Sequence, residues 1–464
     1  MMKKFILLFF LLSGLFLHID AQTISEGEAK DYARQWFNYI EGKKDGKLNM
    51  NKIEKMENKE TDSTFIYGVN FEGGGFVLIS SEQGINPVLG YSRTGTFDEA
   101  NLSLGEKRWI ECVIDHLKLV KEKNKRVGNT VKFDMASNIK NISLQSSSTP
   151  TSAPSLFQTY QTSKWAYFGP YTDATPFEGN ANVCAPLAMA QIVKYYQYPM
   201  QGTGSYGGID FSRQFYDYSE MPYRLTYCNY NPDSGICGDA SYSIIPGVTA
   251  YQIKNVSTLI YHCGVMVDTQ LSGTLNSYPS DWVGKLVQYF NYSPSFNNRS
   301  YTYIANNNSA FKEELRNEIL NKRPVLFAYY DPAMRGHVVV IDGYENNDYF
   351  HFVLGIGGNE DLYYYLFDLD NDGVHPVTPK TSYYCAATGI QPNCPNVSDQ
   401  TINNVSFSDS RKYEATNSVV ANTVTVLSGG RIAIQAGNFI QLNSDFEIQS
   451  GAECIFEVKA CGAP

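Results

Sequence analysis

The chain has 464 residues, of which 43% are hydrophobic and 18% charged, so it holds enough apolar material for several folded units and is not a disordered chain. The net charge of −10 disfavours nucleic acid as a partner, because a phosphate backbone selects a basic surface.

The first residues read "MMKKFILLFFLLSGLFLHIDAQ". Two lysines, an apolar run from Phe5 to Leu17 and the small Ala21 predict a signal peptide over residues 1–21, too short to span a membrane. No later segment is a membrane span, so the chain is expected to be secreted or held at the cell surface. Residues 22–140 read as one α+β unit. "EGEAKDYARQWFNYI" and "LGEKRWIECVIDHLKLVKEKNKR" have helical periodicity, and the glycine-broken "TFIYGVNFEGGGFVLISSEQGINPVLGYS" predicts short strands. A Ser/Thr/Pro-rich stretch inside residues 141–155 predicts a protease-sensitive linker.

Residues 156–393 form the largest block. Helical patterns ("CAPLAMAQIVKYYQY", "YQIKNVSTLIYHCGVMV", "NNNSAFKEELRNEILNKR") precede strand patterns ("PVLFAYY", "HVVVIDGYE", "DYFHFVL", "DLYYYLFDLD"), which predicts an α+β domain with an antiparallel sheet. Residues 402–464 carry apolar pairs such as Val424/Val426, Ile432/Ile434 and Phe456/Val458, separated by turn glycines. They predict a small all-β domain, a β-roll or stacked β-coil, with a β-sandwich as the alternative.

Nine cysteines leave at least one unpaired. Cys228 with Cys237, Cys385 with Cys394, and Cys454 with Cys461 lie close enough in sequence to close short loops. No CxxC knuckle is present, so no metal site is expected. Asp368, Asp370 and Asp372 begin like a calcium loop, but Pro379 stands where the bidentate Glu belongs, and an Asx-rich turn is expected instead.

Cys184 opens a helix, and Pro186 suits its first turn. Unpaired N–H groups at a helix start favour a thiolate, which makes Cys184 a candidate nucleophile. A thiolate also needs a base. Among six histidines, His337 stands at a loop-to-strand junction and His351 inside a strand; the mounting favours His337. His262, beside Cys263, is expected to be structural.

These segments resemble the streptopain family, papain-fold cysteine peptidases. "CAPLAMAQIVKYYQYP" is similar to its nucleophile helix, "LIYHCGVMVD" to its middle helix, and "GHVVVIDGY" to its histidine strand. "GGGFVLISSEQGINPVLGYS" is similar to part of its propeptide. The resemblance implies a papain-like domain at 156–393, a propeptide at 22–140 that inhibits it, Cys184 as nucleophile and His337 as its partner, with no cofactor. It implies hydrolysis of protein or peptide substrates through an acyl-thioester. The chain departs from the family pattern where Leu354 and Ile356 replace tryptophans, and at two positions that bear on the chemistry. Tyr167 stands at the Gln of W-G-Q that donates to the oxyanion, and Val353 at the Asn of H-V-N-W-G-W-G-G that orients the imidazole. They imply weak activity, or a peptidase-like binding protein that has lost its chemistry.

Overall fold

The computed structural model describes residues 23–463 except 43–48, 59–62, 128–132, 146–151, 160–163, 175–182, 229–241, 269–278, 331–335, 347, 356–361 and 367–382. The expected signal peptide, the Asp368–Asp372 turn and the Cys228–Cys237 pair therefore lie wholly or partly outside the described residues.

The N-terminal unit contains helix α1 (Glu26–Ile40), strands β1 (Met50–Asn58), β2 (Ser63–Phe71), β3 (Phe76–Ser80) and β4 (Val88–Ser92), and helices α2 (Leu104–Val127) and α3 (Met135–Gln145). A reciprocal Ser25–Glu28 capping box starts α1, and Ala29, Tyr32, Ala33, Trp36 and Phe37 bury one helical face. Phe37 stacks on Phe71 at 4.2 Å between ring centroids. Trp109, Ile110, Val113 and Leu117 of α2 join a different buried cluster from the one that holds α1.

The central unit begins with strand β5 (Ser152–Ala153) and helices α4 (Leu156–Thr159) and α5 (Cys184–Tyr196). Two small hairpins follow, β6 (Ser205–Tyr206) with β7 (Ile209–Asp210) and β8 (Thr226–Cys228) with β9 (Tyr242–Ile244). Next come α6 (Ala250–Met266), α7 (Pro279–Phe290), β10 (Asn297–Arg299), α8 (Tyr301–Asn306) and α9 (Asn308–Leu320). The remaining strands are β11 (Val325–Tyr330), β12 (Gly336–Glu345), β13 (Tyr349–Val353), β14 (Tyr363–Tyr365) and β15 (Tyr383–Thr388). The chain enters the central unit earlier than its composition suggests. Helix α3 runs five residues into the expected linker, and β5 pairs with Tyr344 and Glu345 of β12. Asp342 of β12 then accepts from Ser155 Oγ at 2.5 Å and Phe157 N at 2.8 Å, and binds His351 Nδ1 at 2.6 Å.

One antiparallel sheet runs through both units in the order β1-β2-β3-β4-β14-β13-β12-β11-β15-β10, with β5 beside β12. The seam is β4 on β14, with Tyr91 opposite Tyr363 and Gly90 opposite Tyr364. A β-carbon on Gly90 would lie 2.9 Å from the Tyr364 ring, so the close approach requires glycine. The Tyr91 and Tyr363 rings stack at 5.4 Å, and Arg93 holds Glu345 in a bidentate pair at 2.9 and 3.1 Å.

Strands β16 (Asp399–Phe407), β17 (Ser410–Ala415), β18 (Ser418–Val426), β19 (Arg431–Ala436), β20 (Phe439–Leu442), β21 (Phe446–Ile448) and β22 (Glu453–Val458) form the C-terminal part. All their pairings are parallel: β18 lies between β16 and β20/β21, and β19 between β17 and β22. The result is a two-sheet coil rather than an antiparallel sandwich. Val419, Val424, Ile432 and Ile434 fill its interior. A side-chain ladder links Asn403, Asn422 and Asn443, and a second links Asp399, Asn417 and Asn438. Among the described residues a disulfide joins Cys394 to Cys461, across a separation of 67 residues, in place of the expected Cys385–Cys394 and Cys454–Cys461 loops. The coil returns its end to its beginning, whereas Cys385 is buried in β15 and Cys454 is exposed on β22.

Arg93→Ala removes a charge-assisted pair worth ~1.5–3 kcal/mol. Amide exchange at residues 88–92 and 363–365 should accelerate ~10-fold or more. Unaltered exchange would mean that the backbone seam holds without the ion pair.

Candidate active site

Helix α5 starts at Cys184 and is buried from Ala185 to Tyr196. Val183 precedes it in helical geometry, and its side chain caps none of the first N–H groups. The backbone N–H groups of Cys184, Ala185 and Val338 act on the sulfur and favour thiolate, yet burial outweighs them and pushes the thiol pKa up. The Cys184 residue is only partly covered, but its sulfur sits in dry surroundings. Val338 follows His337 on β12, so one strand brings both a thiol-facing amide and the imidazole to the helix start.

His337 is 2% exposed. Its Nε2 lies 2.9 Å from the Leu354 carbonyl. A carbonyl only accepts, so Nε2 carries the hydrogen and donates it; in the neutral ring Nδ1 is then the bare acceptor. Among the described residues no hydrogen bond joins His337 to Cys184. The Tyr329 and Tyr167 rings stand edge-on to the imidazole at 5.9 and 6.3 Å. Burial lowers the His337 pKa to about 4; the Leu354 carbonyl opposes that shift and the Arg108 charge adds to it.

The remaining wall comes from the N-terminal unit. A β-carbon on Gly105, in the first turn of α2, would lie 2.7 Å from His337 Nε2. Only a glycine lets this helix approach the imidazole so closely, and Tyr329 Oη anchors it by donating to the Gly105 carbonyl at 2.8 Å. Ser103 and Glu106 form the cap of α2, with Ser103 N to Glu106 Oε2 at 2.9 Å and Glu106 N to Ser103 Oγ at 3.2 Å.

Tyr167 is buried beside the imidazole, and its N–H donates to the Gly355 carbonyl at 3.0 Å. Val353 ends β13 opposite Val340 and packs against the apolar core. The structure thus gathers Cys184, His337 and Tyr167 around α5 and β12, while Val353 contributes packing to that region. Its successor, Leu354, supplies the polar contact to the ring. Sequence reasoning missed both Leu354 and Gly105. A backbone carbonyl carries no residue signature; Gly105, just inside a helix and within its Ser-x-x-Glu cap, was the one readable oddity. His351, the other candidate, is committed to Asp342, and His262 contacts Tyr216 Oη at 2.9 Å. Among the described residues no group of His, Cys, Asp and Glu is arranged to hold a metal.

Residues 165–364 match the Peptidase C10 family, and residues 21–114 match the Spi protease inhibitor family. The chain is 24% identical over 404 residues to streptopain of Streptococcus pyogenes, an alignment covering 79% of this chain and 92% of that protein. It is 23% identical over 363 residues to the thiol protease/hemagglutinin PrtT of Porphyromonas gingivalis, covering 75% of this chain but only 39% of that protein. A Prevotella intermedia prointerpain A fragment has the same fold, with a TM-score of 0.51 at 21% identity over 74% of this chain and 100% of the fragment. With a segment matching the Spi protease inhibitor ahead of it, and with the Cys184 helix followed by the His337 strand, the block at residues 165–364 belongs to the Peptidase C10 family of cysteine proteases.

Proposed function

We propose that this chain is an exported cysteine endopeptidase made as a latent zymogen, with Cys184 as nucleophile and His337 as base and acid. The observation that carries the reading is the tautomer imposed by Leu354: the Nε2–H is spoken for, so Nδ1 is the nitrogen left to take the thiol proton. In the reaction the Cys184 sulfur attacks the peptide carbonyl, and the imidazolium returns its proton to the leaving amine as the C–N bond breaks. Water then cleaves the acyl-thioester and restores the thiol. The Cys184 N–H at the start of α5 and the Tyr167 hydroxyl are the candidate oxyanion donors. The Leu354 carbonyl takes over the orienting duty that a side-chain amide at Val353 would perform. Residues 1–21, with two lysines before the apolar run Phe5–Leu17, serve export. Among the described residues no helix is long and apolar enough to cross a membrane.

Latency has an electrostatic cause. With α2 in place, Gly105 covers the imidazole, burial keeps it neutral, and burial keeps the thiol protonated. No thiolate–imidazolium pair forms, and substrate has no path to the ring. The N-terminal unit is therefore the chain's own inhibitor, with protein or peptide as substrate after its removal. The alternative, a peptidase-like binding protein, draws on the buried Tyr167 ring, which occupies the position where an amide donor belongs.

Cys184→Ala in the full chain should fold, remain uncut and hydrolyse nothing. The natural chain should mature with a new N-terminus between the end of α3 at Gln145 and the start of β5 at Ser152. Cleavage of a fluorogenic peptide by Cys184→Ala would reject the nucleophile.

A pH effect follows from His337, whose pKa is lowered to about 4 in the docked form. A depressed base stabilises the docked form above its ordinary pKa near ~6.5, and that stability fades as pH falls toward about 4. Cleavage of the Cys184→Ala chain by a trace of mature enzyme, normalised to a small peptide substrate, should be at least ~10-fold faster at pH 5 than at pH 7.5. A flat ratio would show that protonation of His337 does not loosen the inhibitor.

Tyr167→Gln should raise kcat/KM about 10-fold, ~1.4 kcal/mol of transition-state stabilisation, by supplying the amide donor. Val353→Asn instead buries an amide against apolar neighbours and should cost ~1–3 kcal/mol of stability in denaturant titration. A Tyr167→Gln enzyme no faster than the natural one would show that the tyrosine hydroxyl already serves.

A further inference from the structure

The outer face of the β17-β19-β22 sheet lies against the end of α5 farthest from Cys184. Lys194, in the last turn of α5, is 6% exposed and donates from Nζ to the Tyr218 carbonyl at 2.6 Å. Glu457 and Lys459, on and just after β22, interact electrostatically with it, as does Asp217. Two cations and two anions are thus gathered where the coil meets the helix. Burial moves Lys194, Lys459 and Glu457 toward neutrality: the two lysines each fall to about 8, and Glu457 rises. Lys412 of β17 lies with Nζ 5.9 Å from the centre of the Tyr198 ring, and Arg431 of β19 donates to the Arg213 carbonyl at 2.9 Å.

The chain entering the coil is tied to the same helix end. Tyr196 Oη donates to the Ile390 carbonyl at 2.7 Å, and Tyr198 Oη to the Asn393 carbonyl at 3.3 Å. Cys394 then bonds to Cys461, three residues past β22, so the disulfide brackets every coil strand. The first and last parts of the coil are both fastened beside the C-terminal end of α5. Ten residues separate Lys194 from Cys184, roughly 15 Å along one rigid helix.

We infer that the C-terminal coil is a brace for the nucleophile helix, locked by the Cys394–Cys461 disulfide, with Lys194, Glu457 and Lys459 as positioning residues. The inference rests on the reading of Cys184 as nucleophile. The brace acts at the far end of α5 and touches no substrate. Loosening it displaces the sulfur and the oxyanion-facing N–H together, so it lowers kcat and leaves KM nearly alone. Removing the Glu457 charge leaves Asp217 as the one anion of this cluster beside two ammonium groups, and the excess of like charge favours separation of coil from helix.

The test uses the full chain in a Cys394→Ser/Cys461→Ser background, to unlock the coil. Adding Glu457→Lys should raise amide exchange at residues 190–198 at least 10-fold in the unprocessed protein. After processing, kcat should fall at least 10-fold with KM within twofold. Adding Lys459→Glu as well, which restores an anion beside Lys194, should return both quantities to within threefold. Unchanged exchange in the Glu457→Lys chain would overturn the brace, and so would faster exchange with undiminished kcat. If Glu457→Lys does not fold, Glu457→Gln replaces it: threefold faster exchange supports the proposal and none rejects it. A natural enzyme with no activity at all would refute the nucleophile reading, while the exchange measurement would still judge the contact between coil and helix.

Discussion

The proposed centre depends on the hydrogen bond from His337 Nε2 to the Leu354 carbonyl, because it decides which ring nitrogen holds a proton. It requires β12 and β13 to be paired through Val340 and Val353, so that the residue after Val353 turns its carbonyl to the ring. It also requires Tyr167 and Tyr329 to confine the imidazole edge-on. A backbone acceptor held by a sheet is as directional as a side-chain amide and cannot rotate away. The substitution of Asn by Val at position 353 therefore need not abolish the orienting function.

Inhibition uses the same sheet. The N-terminal unit adds four strands to the β14 edge, so backbone hydrogen bonds align the two units without depending on side-chain identity. The specific contacts, Tyr91 on Tyr363 and Arg93 on Glu345, fix the register of that addition. Trp109 packs on Tyr364 at 4.1 Å and steers α2 across the sheet, and Gly105 then reaches His337. A latch built on a shared sheet edge and one glycine covers the imidazole without a covalent bond, and the proposed proteolysis between α3 and β5 would free it while Asp342 keeps hold of Ser155 and Phe157.

Much of this was readable in the amino acids. The apolar stripe at Ala29, Tyr32, Ala33, Trp36 and Phe37 announces α1, and the run from Cys184 announces a helix whose first residue is a thiol. The strands around His337 and His351 announce a sheet, but periodicity could not say which histidine faces the thiol. At Cys385, Cys394, Cys454 and Cys461 spacing misled for a physical reason. Cys394 and Cys461 are distant in sequence, yet the parallel coil climbs away from its start and its last segment returns to it, giving a Cα–Cα distance of 5.7 Å. Short-range spacing carries no information about such a return.

By itself the sequence determined the local properties: helix and strand periods, the caps, the thiol at a helix start, and the absence of a side-chain amide at positions 167 and 353. Those follow from neighbours within a few residues, which the chain order specifies directly. Tertiary structure alone decided that Leu354 orients the imidazole, that Gly105 covers it, that Glu457 and Lys459 meet Lys194, and that Cys394 finds Cys461. Each of these joins groups brought together by sheet pairing and burial. Their strength comes from the low-dielectric, close-packed surroundings that exist only once the chain has folded.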